Sequence, residues 1–581
     1  MSNSAVAVSS SSSSSKAAVA TRRLHQTATH LSKGPERVYQ TLMKESNAQA
    51  TDPNASVLFT ESTCTRSYHL NRPKQLNALN LEMVESITNR VDDWSSSRIS
   101  KVLVGHGKGG KAFCAGGDIK HIAKLVASTN PTDKWQAMKF FKEEFELDWK
   151  LACFSVGSQA WDGSKAYVAI MDGLTMGGGA GLSYGAVIRV ATENTQFAMP
   201  ETLIGYTPDV GATHYLSLLD GKIGRYLALT GETITGRACY DLGLATHYVG
   251  SHNIPSLIER LDAVEDIDTN GGVDGLVSIV EDFELRIHER IPKGSVPGLD
   301  VGGWKRGDPN SGTRLVGDIR VALDDAFAQD TVPEIIERLQ TYIKKDADDA
   351  SVFQAERQVS DWAKETVEVL GERSPVSLMV TLVGMQNAEE EIKSVAKELA
   401  REVDRYHKVP PNEALRLAFE REYKTVESFV YESSPDFPKG VIKKLVEKLS
   451  PEWDREVDPA TLQSNFFPKP KAPFKNANTS PLELAPPTHG FDKHHFRSYG
   501  LPSEVEVRAI VKGEVEGDFQ PRTSSKSRAG GSKSSGDLAL NRHMVLEWFN
   551  KDRLGVKDRV TEILNRKTYK VGEGEWLAWS D

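Results

Sequence analysis

The stretch from Tyr167 to Leu216 reads YVAIMDGLTMGGGAGLSYGAVIRVATENTQFAMPETLIGYTPDVGATHYL and decides which fold the chain can form. It opens with the apolar run Tyr167–Met171, which predicts a buried strand, and three consecutive glycines follow at 177–179. Glycine lets a backbone approach a ligand closely, because no Cβ atom intervenes. The run therefore predicts either a tight strand-to-helix turn or a cradle of N–H groups that holds an oxyanion.

Two carboxylates lie further along the same stretch, each beside a proline. Glu201 follows Pro200 and Asp209 follows Pro208. Proline fixes its own φ angle and restricts the residue before it, so both carboxylates lie in stiff loops. Such loops hold a reacting group in a defined place, and we predict that Glu201 and Asp209 are the catalytic residues.

Four blocks of sequence follow one another in a characteristic order. They are NRPKQLNAL (71–79), GGKAFCAGGDI (109–119), GLTMGGGAGLS (173–183) and FAMPETLIGYTPDVG (197–211). Together they resemble the crotonase (enoyl-CoA hydratase/isomerase) superfamily, specifically its mitochondrial 3-hydroxyisobutyryl-CoA hydrolase branch. The resemblance continues at 229–249 and more faintly over 374–440, and it covers roughly residues 52–468. It implies an α/β fold of stacked βαβ units with a C-terminal helical region.

The resemblance also implies roles for individual residues. The backbone N–H groups of Ala115 and Gly178 would form an oxyanion hole. The substrate-binding residues would be Gly117, Asp118 and Glu144. For Glu144 a second interpretation stays open, because Glu143 and Glu144 also fit the solvated face of an ordinary helix.

Differences from the hydratases of this superfamily indicate the reaction. A hydratase has a glutamate two residues after the triple glycine, where this chain has Gly181, and usually a glycine where this chain has Asp209. This exchange is the pattern of the hydrolase branch, so we expect hydrolysis of an acyl-CoA thioester in valine catabolism. Glu201 would either attack the thioester to form an anhydride or act as a general base on water, and Asp209 would assist the leaving thiolate or orient the substrate hydroxyl. No metal or separate cofactor is expected, since coenzyme A is part of the substrate.

Composition sets outer limits on the function. The chain has 581 residues, 39% of them hydrophobic, and a net charge of −9, which neither favours nor excludes a nucleic-acid partner. Its four cysteines show no C-x-x-C spacing, so neither a zinc site nor a disulfide framework is predicted. No apolar run approaches the roughly 20 residues that span a bilayer, and no membrane partner is expected.

The chain divides into four predicted parts. Residues 1–45 form a leader whose first 35 positions are rich in serine and contain no acid, a composition typical of a mitochondrial transit peptide, although a merely disordered N-terminus shares it. This leader predicts a location in the mitochondrial matrix. The catalytic core is predicted at 52–255, the helical part of the hydrolase at 256–468, and a low-complexity, partly disordered extension at 469–581.

Local patterns predict several elements. Val57–Thr63 and Arg66–Leu70 form a strand pair, a helix follows with apolar residues four apart, and 155–165 is a surface insertion. In the extension, 468–487 and 521–536 have linker compositions, Glu504–Val511 alternates like a strand, and Asn541–Leu564 is typical of a broken amphipathic helix.

Two alternative functions come from other segments. GHGKGGK at 105–111 matches two nucleotide-binding patterns, G-x-G-x-x-G and G-x-x-x-x-G-K. Ala112 follows the lysine, however, and the next residues are too rich in glycine to open a helix, which disfavours a dehydrogenase.

The basic, acid-free segment 521–536 suits phosphate backbones. It favours a role as a component of the mitochondrial small ribosomal subunit, as some fungal relatives of the hydrolase branch are. A homo-oligomer such as a trimer is a family expectation.

Overall fold

The computed structural model describes residues 52–155, 165–268, 271–284, 308, 311–343, 354–401, 412–431, 434–454, 458–467, 474, 476, 478–485, 499–514, 540–549, 553, 555–571 and 576–580. The predicted leader at 1–45, nearly all of the insertion at 155–165 and the basic segment at 521–536 lie outside the described residues.

The strands in the described part of the chain form three sheets. They are β1 (Val57–Glu61), β2 (Thr65–Leu70), β3 (Val102–Gly107), β4 (Ala112–Cys114), β5 (Ala166–Met171), β6 (Leu174–Met176), β7 (Ile188–Ala191), β8 (Gln196–Ala198), β9 (Ile234–Thr235), β10 (His247–Tyr248), β11 (Thr568–Val571) and β12 (Trp576–Trp579). The main sheet has the order β1-β2-β3-β5-β7-β10, a second sheet has the order β4-β6-β8-β9, and β11 pairs with β12. In the main sheet only the β1–β2 pair is antiparallel. Parallel neighbours need crossover connections, so the predicted βαβ units are confirmed.

Nineteen α-helices, counted over the described ranges, connect or cover these strands. They are α1 (Leu81–Ser96), α2 (Ile119–Ala127), α3 (Pro131–Phe154), α4 (Gly178–Tyr184), α5 (Ala212–Ser217), α6 (Ile223–Thr230), α7 (Arg237–Asp241), α8 (Ile254–Asp262), α9 (Gly272–Glu281), α10 (Gly317–Ala326), α11 (Val332–Tyr342), α12 (Gln354–Gly371), α13 (Pro375–Arg401), α14 (Glu413–Val430), α15 (Asp436–Val441), α16 (Pro459–Phe466), α17 (Glu504–Lys512), α18 (Arg542–Trp548) and α19 (Val556–Lys567). None of them is both long enough and apolar enough to cross a membrane.

The main sheet is buried on both faces. Successive residues of β3, such as Val102 and Leu103, belong to different apolar clusters on opposite sides of the sheet. Helices α8 and α9 cover one side with Leu257 and Leu276, while α1 and α3 belong to the larger cluster on the other. Near-continuous apolar runs are what a doubly covered parallel strand requires.

The glycine-rich segment 105–110 does not form a nucleotide-binding loop. Gly105 and Gly107 belong to β3, while Gly109 and Gly110 adopt positive φ angles and lead into β4 instead of a helix. A phosphate-binding glycine loop needs the N-terminus of a helix directly after it. Neither nucleotide motif therefore has its required structure.

The C-terminal extension contains a folded part that contacts the core. Arg559 of α19 forms an ion pair with Asp220, and Arg320 of α10 donates to Glu504 of α17 over 2.8 Å. Arg553 donates to the carbonyl oxygen of Thr246 over 2.5 Å. Within the predicted linker, residues 478–485 also lie against α3, where the Trp149 ring N–H donates to the Ala485 carbonyl. Residues 478–485 are therefore packed structure, unlike the linker that their composition predicted.

One predicted strand is wrong and one predicted helix is confirmed. Residues 504–511 lie in helix α17, not in a strand, because Val507, Ile510 and Val511 face the interior at helical spacing. The broken amphipathic helix predicted at 541–564 is present as α18 and α19.

Candidate active site

The glycine turn brings the N-terminus of α4 against two other elements. Gly177 has a φ angle of +50°, and Gly178 is the first residue of α4. A Cβ atom on Gly178 would collide with Oε1 of Glu144, and one on Gly179 would collide with the Cys114 carbonyl oxygen. The turn therefore requires glycine for close approach, and it leaves the Gly178 N–H at a helix start, where no acceptor within the helix exists.

The predicted oxyanion donor Ala115 has to be corrected. Its N–H donates to the Leu76 carbonyl oxygen over 3.1 Å, so it is not available to a substrate. Two residues on, Gly117 forms a bridge with Leu79, in which the Gly116 carbonyl and the Asp118 N–H make the hydrogen bonds. The N–H of Gly117 itself points away from Leu79.

Gly117 is thus the partner of Gly178. Neither N–H group has an acceptor within the described part of the chain. A Cβ atom built on Gly178 would lie 3.5 Å from the Gly117 nitrogen, so the two donors border the same space. Gly117 and Gly178 are therefore the candidate oxyanion donors, and Gly117 takes this place instead of the substrate-binding place that was predicted for it.

Asp118, the other predicted substrate-binding residue near this loop, points elsewhere. Its carboxylate accepts from Arg72 over 3.4 Å and its side chain is 34% exposed. It is separate from the buried carboxylates described next.

Glu201 lies at the start of a short 3-10 helix directly after Pro200. It is 6% exposed, and its Oε1 lies 3.0 Å from where a Cβ atom on Gly177 would be, which places it beside the glycine turn. Its Oε2 has no hydrogen-bond partner within the described ranges. Burial, together with the negative charge of Asp209, raises the pKa of this carboxyl group well above its ordinary value.

Asp209 is held in a strained loop. It accepts a hydrogen bond from the Tyr206 hydroxyl over 2.9 Å, and the next residue, Val210, has a φ angle of +54°. Positive φ is unfavourable for a β-branched residue, and such strain is found mostly at functional sites. Burial and the charge of Glu422 raise the pKa of Asp209 to about 7, although the bond from Tyr206 lowers it.

Glu144 is buried beside Gly178, which excludes the interpretation that it lies on a solvated helix face; its contact with a substrate stays a prediction. It is 3% exposed, whereas Glu143 is only half-buried. Burial and then the charges of Asp209 and Glu201 raise its pKa well above the ordinary value. The three carboxyl groups therefore repel one another when ionised, which favours retention of a proton in the site.

Two carboxylates near the site were missed in the sequence. Asp148 lies one helical turn after Glu144 on α3 and is 2% exposed, and the spacing of four was the signal that could have found it. Glu422 of α14 accepts N–H bonds from Gly211 over 2.6 Å and from Thr213 over 2.9 Å, so it caps α5 and fixes the loop that carries Asp209. No local sequence pattern predicts this contact of Glu422, because its partners are so far away in the chain. Within the described ranges, no group of His, Cys, Asp and Glu side chains could hold a metal ion.

Mainly parallel sheets here hold two N–H groups that have no acceptor among the described residues beside a set of buried carboxyl groups, an arrangement that fits the crotonase class of protein. The chain belongs to the enoyl-CoA hydratase/isomerase family, whose model matches residues 65–466. This confirms the predicted fold class and the family resemblance.

Relatives in two groups are similar to this chain. Small ribosomal subunit protein mS47 of Neurospora crassa is 30% identical over 91% of this chain and 88% of its own length. The mitochondrial 3-hydroxyisobutyryl-CoA hydrolase of Homo sapiens is 35% identical over 57% of this chain and 72% of its own length. Among solved structures, a carnitinyl-CoA dehydratase from Mycobacterium thermoresistibile is 25% identical with a TM-score of 0.53, covering 71% of this chain and 97% of that chain.

Proposed function

We propose that this protein hydrolyses the thioester of 3-hydroxyisobutyryl-CoA, releasing 3-hydroxyisobutyrate and coenzyme A. The observation that carries the proposal is the pair of free N–H groups of Gly117 and Gly178 beside Glu201. Glycine at 181, where the hydratase pattern has a glutamate, supports hydrolysis over hydration. The hydrolase names of several relatives support the choice of substrate.

The chemistry starts at the thioester carbonyl. Its oxygen becomes negatively charged when a nucleophile attacks, and two fixed N–H donors stabilise that charge, at roughly 10²- to 10³-fold in rate per donor. The carbonyl oxygen would lie between Gly117 and Gly178, which places the carbonyl carbon next to Glu201.

Glu201 acts in its ionised form. In one route its carboxylate attacks the carbonyl carbon, the C–S bond breaks, and water then hydrolyses the resulting anhydride to release the acid and restore Glu201. In the other route Glu201 removes a proton from the water that attacks, and the C–S bond then breaks. Because burial raises its pKa, the group is a stronger base than an exposed glutamate. Asp209, with a pKa of about 7, keeps its proton long enough to give it to the leaving thiolate.

Thiol release tests this proposal directly. The full-length chain is incubated with 3-hydroxyisobutyryl-CoA, and free coenzyme A is followed with a chromogenic thiol reagent. We expect thiol release by the wild type and at least about a 10²-fold loss in Glu201→Gln, the low end for a general base. Hydration of crotonyl-CoA without thioester cleavage would contradict the proposal.

We further propose a mitochondrial location, in the matrix. The acid-free leader supports it, as do the mitochondrial names of the hydrolase relatives. Coenzyme A belongs to the substrate in this proposal, and no further cofactor takes part. A homo-oligomer, as in related crotonases, fits the proposal.

A second candidate function is membership of the mitochondrial small ribosomal subunit. The region after residue 466 makes up about a fifth of the chain, so a match over 91% of the chain to an mS47 protein includes much of the extension. The extension also has a folded part that contacts the core. Sedimentation of mitochondrial extract tests this candidate: co-sedimentation with the small subunit at low salt, lost at high salt, supports it. A protein that stays in the light fractions at low salt contradicts it.

A further inference from the structure

Helices α3 and α4 pack closely along a row of glycines at the candidate site. Residues one turn apart on α3 lie against glycines of α4 and its C-terminal cap: Glu144 against Gly178, Asp148 against Gly181, and Ala152 against Gly185. The first pair lies at the oxyanion hole, and the second pair lies one turn further along the helix.

Asp148 fills the space that Gly181 leaves. A Cβ atom on Gly181 would lie 2.6 Å from Oδ2 of Asp148 and 2.7 Å from Cβ of Val210, so no side chain fits there. In the hydratase pattern this position carries a glutamate. Here the carboxyl group of that region comes from α3 instead.

The carboxyl group of Asp148 has no partner of its own. It is 2% exposed, and neither oxygen makes a hydrogen bond to any residue that the structure describes. A buried polar group without a partner is unfavourable and is uncommon in native proteins unless a ligand or water supplies the missing bond.

We propose that Asp148 recognises the hydroxyl group of the acyl chain and so selects 3-hydroxyacyl thioesters over acyl groups without the hydroxyl. This inference rests on the proposed thioester hydrolysis and deepens it by naming a residue that determines the substrate class.

The geometry agrees with this role. The helical rise from Gly178 to Gly181 is about 4.5 Å at 1.5 Å per residue. An extended 3-hydroxyacyl group has a comparable span between its carbonyl oxygen and its hydroxyl oxygen. With the carbonyl oxygen at Gly178, the hydroxyl group therefore reaches the level of Asp148.

The surroundings favour a neutral carboxyl group, which both donates and accepts a hydrogen bond. Burial and then the charges of Glu144, Asp209 and Glu422 raise the pKa of Asp148 well above its ordinary value. The other titratable groups that interact with it are neutral thiol and phenol groups, at Cys114, Tyr68, Tyr167 and Tyr215.

The test compares two esters in three forms of the full-length protein. Values of kcat/KM are measured for 3-hydroxyisobutyryl-CoA and for isobutyryl-CoA, which lacks only the hydroxyl group. Wild type should prefer the hydroxylated ester. Asp148→Leu, similar in size but unable to hydrogen-bond, should reduce the preference ratio by roughly 10- to 100-fold. Asp148→Asn, which keeps a donor and an acceptor, should reduce it by less than about 5-fold.

Each other outcome has a definite meaning. If wild type cleaves both esters equally well, or if Asp148→Leu lowers both rates by the same factor, the inference is overturned while the hydrolase proposal stands. If Asp148→Asn loses the preference as fully as Asp148→Leu, hydrogen bonding is not the cause and the inference also fails. If wild type cleaves neither ester, the proposed function fails and the inference fails with it. Thermal melts of each variant show whether a rate change reflects unfolding.

Discussion

Replacing Asp209 with asparagine should stabilise the protein while it impairs turnover. The carboxyl group is 5% exposed, and burial with the nearby charge of Glu422 raises its pKa from 3.8 to about 7. Between these two pH values the folded protein binds the proton more tightly than the unfolded chain does, so stability falls as the pH rises through this window. Above about pH 7 the folded protein carries the full unfavourable cost of an ionised Asp209.

The size of the effect follows from the two pKa values. At about 1.4 kcal/mol per pH unit, the wild-type carboxyl group destabilises the fold by about 4 kcal/mol at pH 8 and by about 2 kcal/mol at pH 5. Asparagine has no proton to lose and can still accept the hydrogen bond that the Tyr206 hydroxyl donates over 2.9 Å. Asp209→Asn should therefore recover most of this free energy, and more of it at pH 8.

Urea unfolding at pH 5 and pH 8 measures the change. Asp325→Asn is a matched control with the opposite sign. Burial raises the pKa of Asp325, but hydrogen bonds from Arg338 and Tyr342 outweigh it and lower the pKa below the ordinary value. Loss of this partly exposed carboxylate should destabilise by at most about 1 kcal/mol.

Two results would refute the reasoning. One is an Asp209→Asn protein that is no more stable than wild type at pH 8, and the other is a gain of equal size at both pH values. A gain in stability without a loss of turnover would separate the buried charge from the reaction and remove Asp209 from the mechanism.

Three further predictions concern the site and the extension. Turnover should rise with pH as the Glu201 carboxyl group loses its proton, and a pH–rate profile of Glu201→Gln should lack this limb. The thermal melt of Glu201→Gln should not fall below that of wild type, because the variant removes a buried carboxyl group whose pKa is raised. Gly181→Ala should destabilise by roughly 1–3 kcal/mol through overpacking against Asp148, and an unchanged unfolding midpoint would contradict the close helix contact. Arg559→Met removes the cation that pairs with the buried Asp220 and should cost about 3–5 kcal/mol, with faster hydrogen exchange at 555–571, whereas Arg338→Met on the surface should leave the unfolding midpoint nearly unchanged.

The parts of the site that follow from contiguous residues could be predicted from the sequence. The strand β5, the glycine turn and the start of α4 lie within one stretch, and their chemistry depends on neighbours in the chain. The same holds for Glu201 and Asp209, since the prolines beside them set the local backbone. In the structure the two lie close enough for the charge of Asp209 to raise the pKa of Glu201, and their catalytic roles stay predictions.

The choice of oxyanion donor could not be predicted from local sequence alone. The block around Ala115 and Gly117 identifies the loop, but consecutive N–H groups in an extended loop point in different directions. Which N–H group lacks an acceptor depends on Leu76 and Leu79, whose carbonyl oxygens accept hydrogen bonds from the N–H groups of Ala115 and Asp118. That pairing joins segments about 40 residues apart, and no pattern within the loop encodes it.

The wrong strand prediction at α17 has a different cause, because the sequence does contain the signals of a helix. Alternating valines from Glu504 predicted a strand, yet Ser503 and Glu506 form a capping box and Gly513 ends the helix in a left-handed conformation. These are start and stop signals of a helix. Over so few residues the apolar pattern fits a helix as well as a strand, so these signals outweigh it. The correct assignment has a functional consequence. As a helix, residue 504 presents its carboxylate to Arg320 and Arg566, so the extension is joined to the core by buried charges and the two are expected to respond together to mutation and salt.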